Sequence, residues 1–427
     1  MIFPNTSIEY AVELDRLDEL AHFRNRFSIT DDDLIYLDGN SLGRLPIDSA
    51  GKMQSAVQNE WGDRLIRAWN DGWIDYSMQL GAKIARLIGA QPDEVLVTDS
   101  TSINLFKLAV SALQHNPDRK KIVSDEFNFP TDLYILQGII DLLGKGHTLE
   151  LVKSRDGICL PLDAVEKAID NQTGLVCLTH VAFKSAFMYD MQRVTQLAHQ
   201  AGAFMLWDLS HSAGAVPLEL NACGVDLAVG CTYKYLNGGP GAPAYLYIRR
   251  DLQEKLRTPL WGWFAARDMF AFDLEFTAAE GIAGFRAGTP PILAMKAIEP
   301  GVDLMLEAGI SRIREKSILQ CEYLISLAEH WLYPLGFKLG SPADAAQRGS
   351  HISLQHAEGY RINRALIEAP DGGLKVIPDF RAPNNIRLGI APLYTRFVDI
   401  NLAISRVKDI LDNGIYLSYS SDRFAVT

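Results

Sequence analysis

A lysine set between two tyrosines, at the end of an apolar run and just before a glycine-rich turn, is badly placed for a solvated charge. Val225 to Cys231 forms the run, Thr232-Tyr233-Lys234-Tyr235 follows, and Asn237-Gly238-Gly239-Pro240-Gly241 supplies the turn. Desolvation in such a place favours the neutral amine of Lys234, the form that condenses with an aldehyde to a Schiff base. The commonest biological aldehyde held in this way is pyridoxal 5'-phosphate, and its ring nitrogen needs a carboxylate beside it. Asp208 closes an earlier apolar run, Ala203 to Trp207. The interval between Asp208 and Lys234 leaves room for one crossover and a return to an adjacent strand, so both groups can meet at one edge of a parallel sheet. Strand-end acids and later lysines are also common in any α/β protein, so this pair needs company.

Other segments offer it. Asp99-Ser100-Thr101-Ser102 follows the strand-like Glu94 to Thr98 and precedes the helical Ile103 to Leu113. Hydroxyls there sit where a helix N-terminus exposes unpaired N–H groups, a place for a phosphate or for a plain N-cap. Phe127-Asn128-Phe129-Pro130-Thr131-Asp132 follows the run Lys121 to Ser124 and puts an aromatic beside a polar cap in the same end-of-strand layer. A planar heteroaromatic ring would stack on such a face, with about 0.5–1.5 kcal/mol gained beyond area burial. His211, shortly after Asp208, can orient the acid, reach a phosphate, or be a satisfied core histidine. Arg387 lies inside the apolar segment Asn385 to Ala391, where a guanidinium needs a bidentate anion, either a protein carboxylate or a substrate carboxylate. Arg286, in Gly284-Phe285-Arg286-Ala287-Gly288, reads as a structural pairing.

The elements that must position these groups follow from periodicity. From about residue 93 to residue 248, short β-rich runs alternate with helical stretches, the pattern of βα units. The expected strands are Glu94 to Thr98, Lys121 to Ser124, Thr148 to Lys153, Leu175 to Val181, Phe204 to Asp208, Leu227 to Cys231 and Ala244 to Ile248. Helical spacing occurs over Asp132 to Leu143, Leu162 to Ile169 and Arg193 to Gly202. The fold class is therefore α/β, with a mostly parallel seven-stranded sheet covered by helices on both faces. After the Gly/Pro-rich stretch Gly281 to Pro291 a long helical region runs from about Leu293 to Leu335. A smaller α+β unit follows, with strands at His351 to Gln355, Leu374 to Pro378 and Asn385 to Gly389 and a last helix at Val398 to Leu411. The expected division is an N-terminal segment, residues 1–50, packed with the small domain, a large domain over 51–292, and a small domain over 293–427.

Composition narrows the partners. The 427 residues are 48% hydrophobic and 22% charged, which is globular, and a net charge of −11 without a basic run argues against nucleic acid and anionic membrane. No segment reaches the uninterrupted apolar length of a membrane span and the start lacks a basic, then apolar leader, so a cytoplasmic protein acting on a small molecule is expected. The five cysteines are spread singly, which speaks against a disulfide framework and against a metal site. Cys321 sits in a helical pattern, unlike a nucleophile on a mobile loop.

Seen together, Tyr36 to Gly43, Phe129-Pro130-Thr131-Asp132, Asp208 to His211, Tyr233 to Gly241, Trp261 to Phe264, Phe285-Arg286 with Pro290-Pro291, and Arg387 to Tyr394 resemble the kynureninase family of fold-type I pyridoxal-phosphate enzymes. The likeness runs nearly end to end. It implies that Lys234 carries the cofactor as an aldimine, that Asp208 holds the pyridinium nitrogen charged, and that Phe129 stacks on the ring. Thr101, Ser102, Tyr233, Trp263 and Thr289 would surround the phosphate. Pro130, Thr131, Asp132, Thr179 and His211 would lie close to the cofactor, although the family often has serine at the place of Thr179 and asparagine at that of Thr289. Arg387 would clamp the α-carboxylate of an amino acid substrate, with Asn40, Ser41 and Trp69 on the substrate side. The implied reaction is hydrolysis of L-kynurenine, or its 3-hydroxy form, to the anthranilate and L-alanine in tryptophan catabolism. Lys234, Tyr233 and Asp208 would be its catalytic groups, in a homodimer whose sites form at the subunit boundary. A fold-type I enzyme such as a class V aminotransferase or a cysteine desulfurase shares the layout and is the alternative; a catalytically idle protein on the same fold is a third reading.

Overall fold

The computed structural model describes residues 3, 5–31 and 33–420. A short N-terminal strand, β1 (Leu34–Tyr36), lies apart from the main sheet. That sheet is built from β2 (Val95–Val97), β3 (Lys121–Asp125), β4 (Thr148–Val152), β5 (Thr173–Thr179), β6 (Phe204–Asp208), β7 (Leu227–Gly230) and β8 (Tyr245–Ile248), in the spatial order β2-β8-β7-β6-β5-β3-β4. Strands β4, β3, β5, β6 and β7 run parallel, and β8 is antiparallel to both its neighbours. Every residue of β5 is buried, which explains why Thr173-Gly-Leu-Val-Cys-Leu-Thr reads as a continuous apolar run rather than an alternating one: helices cover both faces.

Each parallel strand ends at the same edge, and the register sets what stands there. Thr179 of β5 is directly beside Asp208 of β6, and Asp208 is beside Val229 of β7. Helices start from this edge. Thr101–His115 begins at an N-cap Ser100 whose hydroxyl accepts from the Ile103 N–H at 3.4 Å. Pro130–Leu143 begins with proline in its first turn, where the missing N–H is harmless, and stops at Gly144 in the left-handed region with φ +59°.

The second layer is a four-stranded antiparallel sheet of β9 (Lys338–Leu339), β10 (His351–Gln355), β12 (Asp379–Arg381) and β13 (Asn385–Gly389) in the order β12-β13-β10-β9, while β11 (Lys375–Ile377) leaves it to pair in parallel with β1. The sheet shares an apolar core with the helices Ile310–Trp331, Gly359–Glu368 and Phe397–Asp412. The N-terminal helix Ile8–Arg16 contributes to the same layer: the Asp15 carboxylate accepts from the N–H groups of Phe397 (2.7 Å) and Val398 (3.0 Å), the first turn of the last long helix.

Besides the short strands β1 and β9, which are not among the expected ones, three elements differ from the sequence expectation. The helical region expected over Leu293 to Leu335 is two helices, Ile292–Ala308 and Ile310–Trp331, broken at Gly309 with φ +82°. The strand expected at Leu374 to Pro378 is present, but its partner is β1 rather than the small sheet. Strand β12 was not expected at all, because Asp379-Phe380-Arg381 holds one apolar residue between two charges and carries too little alternation to be seen.

Candidate functional site

A cavity of about 320 Å³ opens at the C-terminal edge of the parallel strands, where α/β folds bind ligands. Lys234, Tyr233, Asp208, Asp132 and Thr179 line it. The loop after β7 that carries Lys234 is turned by Asn237, at φ +55°, whose N–H bonds to the Lys234 carbonyl at 2.9 Å, and by Gly238, whose N–H bonds to the Thr232 carbonyl at 2.8 Å. Among the described residues the Lys234 amine has no hydrogen bond or ion pair. It stands 6.0 Å from the centre of the Phe129 ring and 5.8 Å from that of Tyr233. Asp208 is buried, and its Oδ1 accepts from the Ser210 N–H (2.9 Å) and hydroxyl (2.6 Å). Burial raises the Asp208 carboxyl above its usual range, against the pull of Lys234 and the Ser210 bonds. Asp132 is raised further, by burial and then by the Asp208 charge, and its Oδ2 has no partner. The floor of the cavity thus holds two buried acids and one amine without a partner among the described residues.

Above this floor, Thr101 and Ser102 present hydroxyls at the N-terminus of their helix, where backbone N–H groups and the helix dipole favour an anion. The preceding Asp99 sits at φ +47° and is tied to the fully buried Lys107, which also donates to the Phe285 carbonyl at 2.8 Å. Phe129, 40% exposed, turns a ring face into the cavity region and is met edge-on by Phe183 at 5.3 Å. Its loop is fixed from below: Asp125 accepts from the Phe127 and Asn128 N–H groups at 2.8 and 2.7 Å. His211 is buried with an unpartnered Nε2, and burial together with Lys234 holds its ring well below the usual histidine range, so it is neutral.

The opposite wall is the small sheet. Arg387 is 1% exposed and donates from Nη2 to the Ser41 hydroxyl at 2.7 Å and to Asp379, and from Nη1 to the Phe183 carbonyl. With its amide oxygen turned to the guanidinium, Asn40 accepts from Nε at 2.8 Å. The sequence left Arg387 open between a protein and a substrate carboxylate; it has the protein carboxylate Asp379 and also faces the cavity. Asp38 lies beside this cluster, and burial followed by the Asp379 charge raises its carboxyl to about 6. A carboxyl raised in the folded state favours folding below the ordinary aspartate range near 4, an advantage lost as pH rises through 6. Asp38→Asn is therefore expected to flatten the rise in unfolding midpoint on acidification from pH 6.5 to 4, read from urea melts at fixed ionic strength; an unchanged slope would show that Asp38 is not the group responsible.

The loop from Asp38 to Gly43 joins the two walls. Its Gly43 N–H bonds to the Tyr233 carbonyl at 2.8 Å, and a Cβ on Gly43 would stand 2.3 Å from the Lys234 carbonyl oxygen and 2.8 Å from the Asn237 Cα. Backbone cannot yield there cheaply. Gly43→Ala is expected to cost about 1–3 kcal/mol of stability and to move the lysine loop, visible as a lower Tm; an unchanged Tm would mean that the approach is loose.

Four expected site residues stand elsewhere. Trp263 is 42% exposed and Thr289 is exposed, and neither lines this cavity. Trp69 packs on Trp73 and Phe264, at 5.4 and 5.6 Å between ring centres, as part of the apolar core. Pro130 starts its helix and stays outside the lining, unlike its neighbours Thr131 and Asp132. Conversely, Phe183, Ser210 and Arg381 line the cavity without having been singled out. Ser210 carried a signal, since a hydroxyl two residues after a strand-end acid can cap it; Phe183 and Arg381 lie in loop and short-strand positions that periodicity does not mark.

The comparisons with known proteins agree with this geometry. The kynureninase C-terminal domain family matches residues 313–407. Kynureninase of Pseudomonas fluorescens is 43% identical over 404 residues, covering 93% of this chain and 94% of the relative, and kynureninase of Burkholderia mallei (strain SAVP1) is 44% identical over 409 residues, covering 95% of each. Among solved structures, a cysteine desulfurase from Thermococcus onnurineus NA1 superposes with a TM-score of 0.79 at 19% identity, over 92% of this chain and 98% of that one. The latter likeness is one of fold, the fold-type I architecture. Identity at this level across nearly the whole chain, on a cavity built from Lys234, Asp208 and Arg387, means that the chain belongs to the kynureninase family.

Proposed function

We propose that the protein hydrolyses the Cβ–Cγ bond of L-kynurenine, with pyridoxal phosphate bound through Lys234, giving anthranilate and L-alanine. The observation that carries the reading is the Lys234 amine, free of any partner among the described residues, in one cavity with the buried Asp208, the Phe129 ring and Arg387. The residues present fit the cofactor: an amine for its aldehyde, a buried acid for its ring nitrogen, an open aromatic face for its ring, and hydroxyls at a helix N-terminus for its phosphate.

Bound there, the cofactor supplies an electron sink for the carbanion at the substrate's Cα and again for the one left at Cβ. Lys234 would be the base that takes the α-proton and later returns one to Cα. Asp208 keeps a negative charge against the ring nitrogen, and Ser210 keeps Asp208 in place. Arg387, fixed by Asn40 and Ser41, holds the α-carboxylate. Water adds to the γ-carbonyl, the Cβ–Cγ bond breaks, the added oxygen leaves in the anthranilate carboxylate, and Cβ takes up a proton to become the methyl of alanine. Tyr233 is the proton donor: burial raises its phenol, so it stays protonated beside Lys234. Tyr233→Phe is expected to lower kcat by about 10²-fold or more while cofactor absorbance is kept; full turnover would remove Tyr233 from the mechanism.

Incubation with pyridoxal phosphate and L-kynurenine tests the whole reading: anthranilate fluorescence should appear with alanine in equal amount. The 2-oxo acid of the intact kynurenine skeleton, with no anthranilate, would favour the class V aminotransferase. None of the five cysteines lines the cavity, so a desulfurase-like thiol attack has no group to perform it.

The assembly we propose is a homodimer. Trp261, Trp263, Phe270, Phe272 and Leu274 form an exposed apolar surface, at 69, 42, 56, 71 and 104% exposure, of the kind a monomer rarely leaves uncovered. Across it, Trp263 and Thr289 would reach the phosphate of the neighbouring subunit. The division we propose keeps the units 1–50, 51–292 and 293–427. The setting is cytoplasmic, in keeping with unpaired cysteines, and no helix among the described residues is long and apolar enough to cross a membrane.

A further inference from the structure

We propose that Arg381 is a second guanidinium of the carboxylate subsite, taking the substrate's α-carboxylate together with Arg387; this rests on the kynurenine reading above. Asp379 and Arg381 are two apart on β12 and share one face of the strand, and Asp379 stands directly opposite Arg387 on β13. One carboxylate oxygen, Asp379 Oδ2, therefore serves two guanidiniums: it pairs with Arg387 Nη2 and with Arg381 Nη2 at 2.9 Å. Neither arginine thus has this carboxylate to itself. The other nearby carboxyl, Asp38, is raised to about 6 by burial and by Asp379 and is mostly ionised at neutral pH.

Donor geometry points the same way. A guanidinium has about five N–H groups. In Arg387, Nε is taken by Asn40, both Nη2 hydrogens by Ser41 and Asp379, and one Nη1 hydrogen by the Phe183 carbonyl. A single N–H remains, and a single N–H cannot grip a carboxylate with two parallel bonds. The second donor must come from another group. Arg381 lines the same cavity, and its buried Nε has no acceptor among the described residues. A carboxylate bridging the two arginines satisfies both.

The test compares Arg381→Gln, Arg381→Lys and Arg387→Gln in cofactor-loaded enzyme, with L-kynurenine as substrate and with kynuramine, the same amine lacking the carboxylate, as competitive ligand. Arg381→Gln is expected to raise KM for L-kynurenine about 10- to 100-fold, the loss of a charge-assisted hydrogen bond, with kcat within about 3-fold and kynuramine inhibition unchanged. A KM equal to wild type, or kynuramine weakened as much as kynurenine, overturns the proposal, the latter because it marks a merely structural role. If Arg381→Gln does not fold, Arg381→Lys decides by the same two readouts. Arg387→Gln separates the two claims: if it raises KM while Arg381→Gln does not, only the role of Arg381 falls; if it leaves KM unchanged, the carboxylate reading falls and this proposal with it.

Discussion

Lys234→Ala is expected to abolish anthranilate formation, by about 10²- to 10⁴-fold from the lost base alone and further because no amine remains to hold the cofactor covalently. Three readouts should move together. Turnover disappears, the yellow absorbance of the loaded protein is lost or weakened, and borohydride no longer fixes cofactor to the chain. Stability should hardly change, since the amine has no hydrogen bond or ion pair among the described residues and its removal strands no partner. A variant that still yields a borohydride-reducible adduct would show that another lysine carries the cofactor, and the functional assignment would need to be rebuilt.

Asp208→Asn is the second large effect. The amide is almost isosteric and its oxygen can still accept from the Ser210 N–H and hydroxyl, so the strand end should keep its geometry. What disappears is the negative charge that, in the proposed function, would keep the cofactor's ring nitrogen protonated. One preorganised electrostatic interaction is worth about 10²- to 10³-fold in kcat, and a loss of that size is expected with pyridoxal phosphate still bound. The neighbouring Asp132, raised by burial and by Asp208, should at the same time titrate at lower pH. Near wild-type kcat in the asparagine variant would mean that the ring nitrogen does not depend on this acid.

Much of this site could be read from residue types and spacing because it lies on regular elements. Asp208 and Thr179 end strands whose apolar runs are unmistakable, and parallel register alone brings them side by side. Ser100 to Ser102 and Phe129 open helices whose periodicity is clear. The small sheet was harder. Strand β12 is three residues long and two of them are charged, so neither Asp379 nor Arg381 announced itself, and the commitment of Arg387 to Asp379 depends on an antiparallel register that no local pattern encodes. Trp69, an aromatic that the family pattern puts near the substrate side, packs here against Trp73 and Phe264. Trp263 and Thr289 lie outside the cavity of this chain.

The pairing of β1 with β11, and of Ser41 with Arg387 346 positions away, has a consequence for biosynthesis. A nascent chain can complete its parallel sheet, and with it the lysine loop, while the last segment is still inside the ribosome; the N-terminal strand must then wait, edge exposed, for a partner made almost at the end. Premature termination between β8 and β13 would release a chain that has the lysine loop yet lacks Arg387.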